Sequence, residues 1–168
     1  MPNTDRSRPR VYIGMPITFA GRDHTSLFQE VAHRITASGL LEPVLPSDAD
    51  DTVRWSYAVG ATPLDELCTA VVERDLQQLH QSDGALFLLP EPSVGTAMEI
   101  AYAHRAGIPS VVLVPLPLLY HPWLRYHSTM VLWAPDPLGP VLDHATRLLA
   151  EIIRDLRHSE DTNTDPTQ

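Results

Sequence analysis

Two carboxylates stand out against their surroundings. Glu99 lies in PSVGTAMEIAYAHRAGIPSVVLV, residues 92–114, among Ala97, Ile100, Ala101 and Ala103, which are suited to packing a helix on a sheet. Asp75 lies in a helix-patterned stretch whose apolar face runs through Leu64, Cys68, Val71, Val72, Leu76 and Leu79. It sits four residues from both Val71 and Leu79, at the edge of that face. A carboxylate held near a core needs a partner or a raised pKa, and either condition suits nucleophilic or acid–base chemistry. Each also has a plain structural reading. Thr96 to Glu99 has the form of a capping box, which puts the carboxylate in a helix's first turn, where the dipole favours it. Asp75 would pair with Arg74 or reach solvent. Local sequence leaves both choices open.

Other chemistries lack their residues. The eight histidines form neither HxH nor HExxH spacing, and Cys68 is the single cysteine, so no metal site and no disulfide is expected. His121 and His127 fall in a stretch read as a loop and stand there as possible ligand contacts or surface bystanders. There is no GxSxG elbow, no GxGxxG and no P-loop, so hydrolase-triad, dinucleotide and NTP chemistry lose their warrant and no cofactor is expected. Lys and Arg number 12 against 21 Asp and Glu, a net charge of −9. That balance repels nucleic-acid polymers and anionic membranes while leaving a small nucleotide admissible. The polar start, MPNTDRSRPR, has no signal-peptide core, and no apolar run approaches the roughly 20 residues that cross a bilayer. A cytoplasmic protein is expected.

The elements that must position the carboxylates alternate strand and helix. VYI, EPVLP near 43–45, GALFLL, SVVLV and TMVLW read as strands. Helices are predicted over about 25–38, stopped by Gly39, from Thr62-Pro63 to about Gln81, over the Glu99 stretch up to Gly107, and over about 141–157. This predicts a single-domain α/β fold, a doubly wound, flavodoxin- or Rossmann-like sheet of five parallel strands flanked by helices. The domain is predicted over 10–157, with disordered polar tails at 1–9 and 158–168. SDADDTVRWSYAVGA is long for a plain connection and reads as a binding element or lid. In doubly wound sheets ligands bind outside the carboxyl ends of the strands, and Tyr12, Ser93 and the Glu99 region fall at or near that edge.

Three segments resemble the nucleoside 2-deoxyribosyltransferases and their relatives, the 2′-deoxynucleoside 5′-monophosphate N-glycosidases. VYIGMPITFAGRDHTSLFQEVAHRI is similar to the family's opening strand, ligand loop and first helix. VERDLQQLHQSDGALFLL is similar to its aspartate-bearing helix and next strand, and the Glu99 stretch to its most diagnostic segment. The resemblance implies that Glu99 attacks C1′ of the sugar, that Asp75 assists proton transfer around the leaving base, and that Tyr12 orients the glutamate or the sugar. It implies substrate contacts from Ser93, Gly95, Ile17, Thr18 and Arg22. Ser93 stands where transferases acting on free nucleosides carry an acidic residue. A serine donates to a phosphate oxygen whereas a carboxylate repels one, which favours a nucleoside 5′-monophosphate. Ser93 also has a plain structural reading, as a helix cap. The first loop departs from the phosphate cradle of the monophosphate hydrolases, with Pro16 and Thr18 where donors are expected, and Arg22 is the residue that would supply the charge. A homodimer or larger assembly is implied, each site completed by a neighbouring subunit's 120–128 stretch with His121 and Arg125. The expected activity is N-glycoside hydrolysis; base exchange by a 2-deoxyribosyltransferase and a non-catalytic nucleotide sensor are the alternatives. Trp55 and Tyr57 are candidates to stack on a base.

Overall fold

Runs rich in β-branched and aromatic residues become five parallel strands: β1 (Arg10–Gly14), β2 (Glu42–Val44), β3 (Gly84–Leu88), β4 (Ser110–Val114) and β5 (Met130–Trp133). Their order is β2-β1-β3-β4-β5. The helices are α1 (Thr25–Ser38), α2 (Leu64–His80), α3 (Val94–Arg105), α4 (Pro122–His127) and α5 (Pro140–Asn163). The computed structural model of the chain describes residues 8–16, 25–46 and 64–163. Ile17, Thr18, Arg22, Trp55 and Tyr57 lie outside the described residues. The predicted doubly wound α/β fold is the one found.

The two-residue period of β1 divides the molecule. Val11 and Ile13 face one core, with Phe28, Val31 and Ile35 of α1 and Leu142, Leu149 and Ile153 of α5. Tyr12 faces the other, with Leu79 of α2, Ile100 and Ala103 of α3 and Leu124 of α4. Strand order reverses direction between β1 and β3, which makes the crevice at their carboxyl ends the switch point where such sheets bind ligands. Gly39 and Gly107 stop α1 and α3 as predicted, at φ of 70° and 71°. At Gly107 the Ile108 N–H donates to Ala103 O at 2.9 Å and the Gly107 N–H to His104 O at 3.2 Å, closing the helix with a Schellman pair.

The opposite edge of the sheet is fastened by Asp83. Its carboxylate accepts the Arg10 N–H at 2.7 Å and pairs with Arg157 of α5 at 2.7 Å, while its own N–H donates to Arg10 O at 2.8 Å. Asp83→Ala is expected to lower unfolding free energy by about 1–2 kcal/mol in urea titration, since it strands the Arg10 N–H. Being remote from the crevice, it should leave turnover unchanged.

Two elements and one helix face differ from the sequence reading. The stretch containing His121 and His127 is a short helix rather than a loop, with Pro122 at its first position. Six residues are too few to reveal a helical period. The last helix continues past Arg157 to Asn163 through polar residues that carry no apolar stripe. The apolar face expected of α2 is divided. Leu79 is buried in the core, whereas Cys68 and Val72 are exposed.

Candidate active site

Ser93, in extended conformation, is the N-cap of α3: its Oγ accepts the Thr96 N–H at 3.3 Å and the Thr96 hydroxyl at 3.1 Å. The capping box read from Thr96 to Glu99 is therefore displaced by one turn. Thr96 is buried inside the helix, and Glu99 lies in the second turn, where it caps nothing. Helix geometry alone no longer accounts for its carboxylate.

What holds Glu99 is the sheet. Tyr12, fully buried in the middle of β1, donates its hydroxyl to Glu99 Oε1 at 3.0 Å. Gly14, two residues on and on the same face of β1, pairs in register with Phe87 of β3. A Cβ at Gly14 would fall 2.6 Å from Phe87 Cε1 and 3.0 Å from Glu99 Oε2. The missing side chain thus leaves room for the Phe87 ring and the carboxylate to lie against the strand. Tyr12 and Phe87 pack with ring centroids 6.2 Å apart.

Electrostatics follow from this burial. Desolvation pushes the Glu99 carboxyl up to about 7; the Tyr12 hydrogen bond opposes the rise and the Asp75 charge adds to it. Burial, then the neighbouring Glu99, drive the Tyr12 hydroxyl well above its ordinary value, so it remains a donor. Asp75, 14 % exposed, is raised by burial and lowered by Arg74, whose Nε lies 3.8 Å from Asp75 Oδ1. Asp75 pairs with Arg74, one of its two plain structural readings, and it also lines a cavity.

That site is a cavity of about 420 Å³ between α2 and α3, with Asp75, Ser93, Gly95, Glu99, Arg74 and Tyr102 among its lining residues. Cys68, Val71, Val72 and Leu76 supply an apolar wall, which explains why the face of α2 is split: its lower part packs the core and its upper part covers the cavity. A Cβ at Gly95 would meet open space, so packing does not require glycine there. The structure brings Glu99, Asp75, Tyr12, Ser93 and Gly95 together. His121 and Arg125 are exposed on or beside α4 and do not line this cavity within one chain. Gly14 and Tyr102 were not singled out in the sequence, and Arg74 only as a partner for Asp75; Gly14 had a signal in its place two residues after Tyr12 on one strand face. Among the described residues, no cluster of three His, Cys, Asp or Glu could hold a metal ion, and no helix is long and apolar enough to cross a membrane. A buried carboxylate with a fixed donor, a second carboxyl and an apolar cavity can attack or stabilise an electrophilic carbon and exchange a proton beside it.

No protein-family model and no curated protein sequence matches the chain. Solved structures do. A 2-deoxyribosyltransferase from Bacillus psychrosaccharolyticus aligns over 83% of this chain and 95% of its own, with a TM-score of 0.57 and 14% identity. A conserved protein from Enterococcus faecalis aligns over 91% and 99%, with a TM-score of 0.45 and 13% identity. The NanR protein of Vibrio vulnificus, complexed with ManNAc-6P, aligns over 90% of this chain and 50% of its own, with a TM-score of 0.45 and 15% identity. At such identities the first is a likeness of fold.

Proposed function

We propose that the chain is an N-glycosidase that cleaves the base–sugar bond of a nucleoside 5′-monophosphate, with Glu99 as nucleophile. The observation that carries this reading is the Glu99 carboxylate, buried against Gly14, hydrogen-bonded by Tyr12 and open to the cavity that Asp75 shares. In the first step Glu99 attacks C1′, the C1′–N bond breaks with its electron pair leaving on the base, and Asp75 gives that nitrogen a proton. In the second, Asp75 takes a proton from water, the water oxygen bonds to C1′, and the Glu99–sugar bond breaks. Tyr12 keeps one glutamate oxygen fixed, leaving the other to react.

Phosphate recognition is assigned to the start of α3. Ser93 accepts two bonds from Thr96, so its own hydroxyl proton remains for a ligand oxygen. The first N–H groups of α3, at Val94 and Gly95, have no partner within the helix and favour an anion. An assembly of two or more chains, with His121 and Arg125 contributed by a neighbouring subunit, belongs to the same proposal. The apolar wall and the fold likeness to an enzyme named 2-deoxyribosyltransferase favour a second reading, in which an acceptor base replaces water.

The test is chromatographic release of free base from nucleosides and their 5′-monophosphates, ribo and deoxy, with and without an acceptor base. The wild-type protein is expected to prefer monophosphates. Ser93→Asp keeps a good N-cap but places an anion where the phosphate would bind, and should cut that preference at least ~10-fold. Preference for free nucleosides in the wild type would remove the phosphate assignment, and a new nucleoside formed only with acceptor base would establish the transferase.

A further inference from the structure

Arg74 has no part in the steps above, yet it lines the same cavity as Asp75 and Glu99. Consecutive residues of a helix point about 100° apart and do not ordinarily face one another. Here both Arg74 and Asp75 reach the cavity, and Arg74 Nε stands 3.8 Å from Asp75 Oδ1, an ion pair rather than a hydrogen bond. That Asp75 oxygen is buried and accepts no hydrogen bond among the described residues. The other titratable groups lining the cavity are Glu99 and Tyr102 from α3 and Cys68 and Arg74 from α2, with Tyr12 of β1 hydrogen-bonded to Glu99. Arg74 is the one cation among the described residues lining the cavity.

We propose that Arg74 is a positioning residue acting through Asp75, its guanidinium stabilising the carboxylate that forms when Asp75 hands its proton to the departing base. The chemistry rests on the N-glycosidase reading; the pairing rests on the geometry. As the C1′–N bond breaks, the proton on Asp75 passes to the base nitrogen, and the new anion lies beside the guanidinium. When water attacks, that carboxylate takes a proton from it and is neutral again. Burial opposes the anion and Arg74 favours it, so the two together keep Asp75 able to go both ways. The contribution belongs to kcat, because Asp75 is protonated in the complex that reacts and its anion forms there as the proton moves.

The test follows the Asp75 side-chain carboxyl by carbon-13 NMR across pH, assigned with Asp75→Asn, in the wild type, Arg74→Met and Arg74→Lys, beside the kcat and KM of base release. In Arg74→Met the titration midpoint should rise by about one pH unit or more, with a fall in kcat. Arg74→Lys restores a positive charge and should recover most of both. Arg74→Gln serves if the Met variant does not fold. Equal midpoints in all variants would overturn the proposal. So would a rise in KM for monophosphates alone with the midpoint unmoved, which would make Arg74 a phosphate contact. A shifted midpoint in a protein that releases no base from any nucleotide would leave the pairing standing and remove the reading of the reaction.

Discussion

Glu99→Gln is expected to lower base release at least ~10³-fold and, at pH 8, to make the protein harder to unfold. The two effects share one cause. Burial raises the Glu99 carboxyl from 4.5 to about 7 in the folded protein. Between those values the folded chain binds more protons than the unfolded chain, so stability falls as pH rises and the loss is complete above about 7. That rise corresponds to roughly 3 kcal/mol. Glutamine carries no charge to desolvate and can still accept the Tyr12 hydrogen bond. Urea unfolding at pH 5 and pH 8 should show the variant gaining on the wild type by about 2–3 kcal/mol between the two. The same ionisation gives the wild-type kcat/KM an acid limb near pH 7, because only the anion attacks C1′. Parallel stability curves for the two proteins would show that Glu99 ionises without cost, and the burial argument would fall.

Gly14→Ala should be the most damaging single methyl group in the crevice. The added carbon would meet the fully buried Phe87 ring, which has no space to retreat, and stand 3.0 Å from Glu99 Oε2, pressing the carboxylate away from the strand towards the cavity. Overpacking of this kind costs about 2–3 kcal/mol, and displacing the carboxylate by an ångström costs about 10²-fold in rate. Gly84→Ala is the matched control. Its Cβ would press on Ile153 Cδ1 at 2.8 Å, on the other face of the sheet and at the end of a flexible side chain. It should lose less stability and leave base release intact. Normal turnover in Gly14→Ala would contradict the packing argument.

The sheet, its five strands and the stops at Gly39 and Gly107 were legible because strand patterning and glycine chemistry are local. Glu99 and Asp75 were legible as oddities, a carboxylate among small packing residues and another at the edge of an apolar face, and Tyr12 through its place near the ligand edge of the sheet and the family resemblance. Their meeting was not, since a hydrogen bond between residues 87 positions apart depends on register and helix docking. The Thr96–Glu99 capping box misled because Ser93, three residues earlier, competes for the same role and wins with the backbone in extended form. The exposed half of α2 misled in the opposite sense. Cys68 and Val72 carry the right period for a core, and the sequence does not say that a cavity lies where the core would be. The α4 helix escaped because proline-rich flanks hide a single turn and a half.

The most direct measurement is peptide mass spectrometry of the wild-type protein quenched during single turnover of a 2-fluoro nucleoside 5′-monophosphate. Fluorine withdraws electrons from C1′ and slows release of the sugar by water. The account expects one sugar phosphate added to the peptide containing Glu99, in step with the base released, and none in Glu99→Gln. Stoichiometric base release with no mass added to that peptide would contradict a covalent role for Glu99.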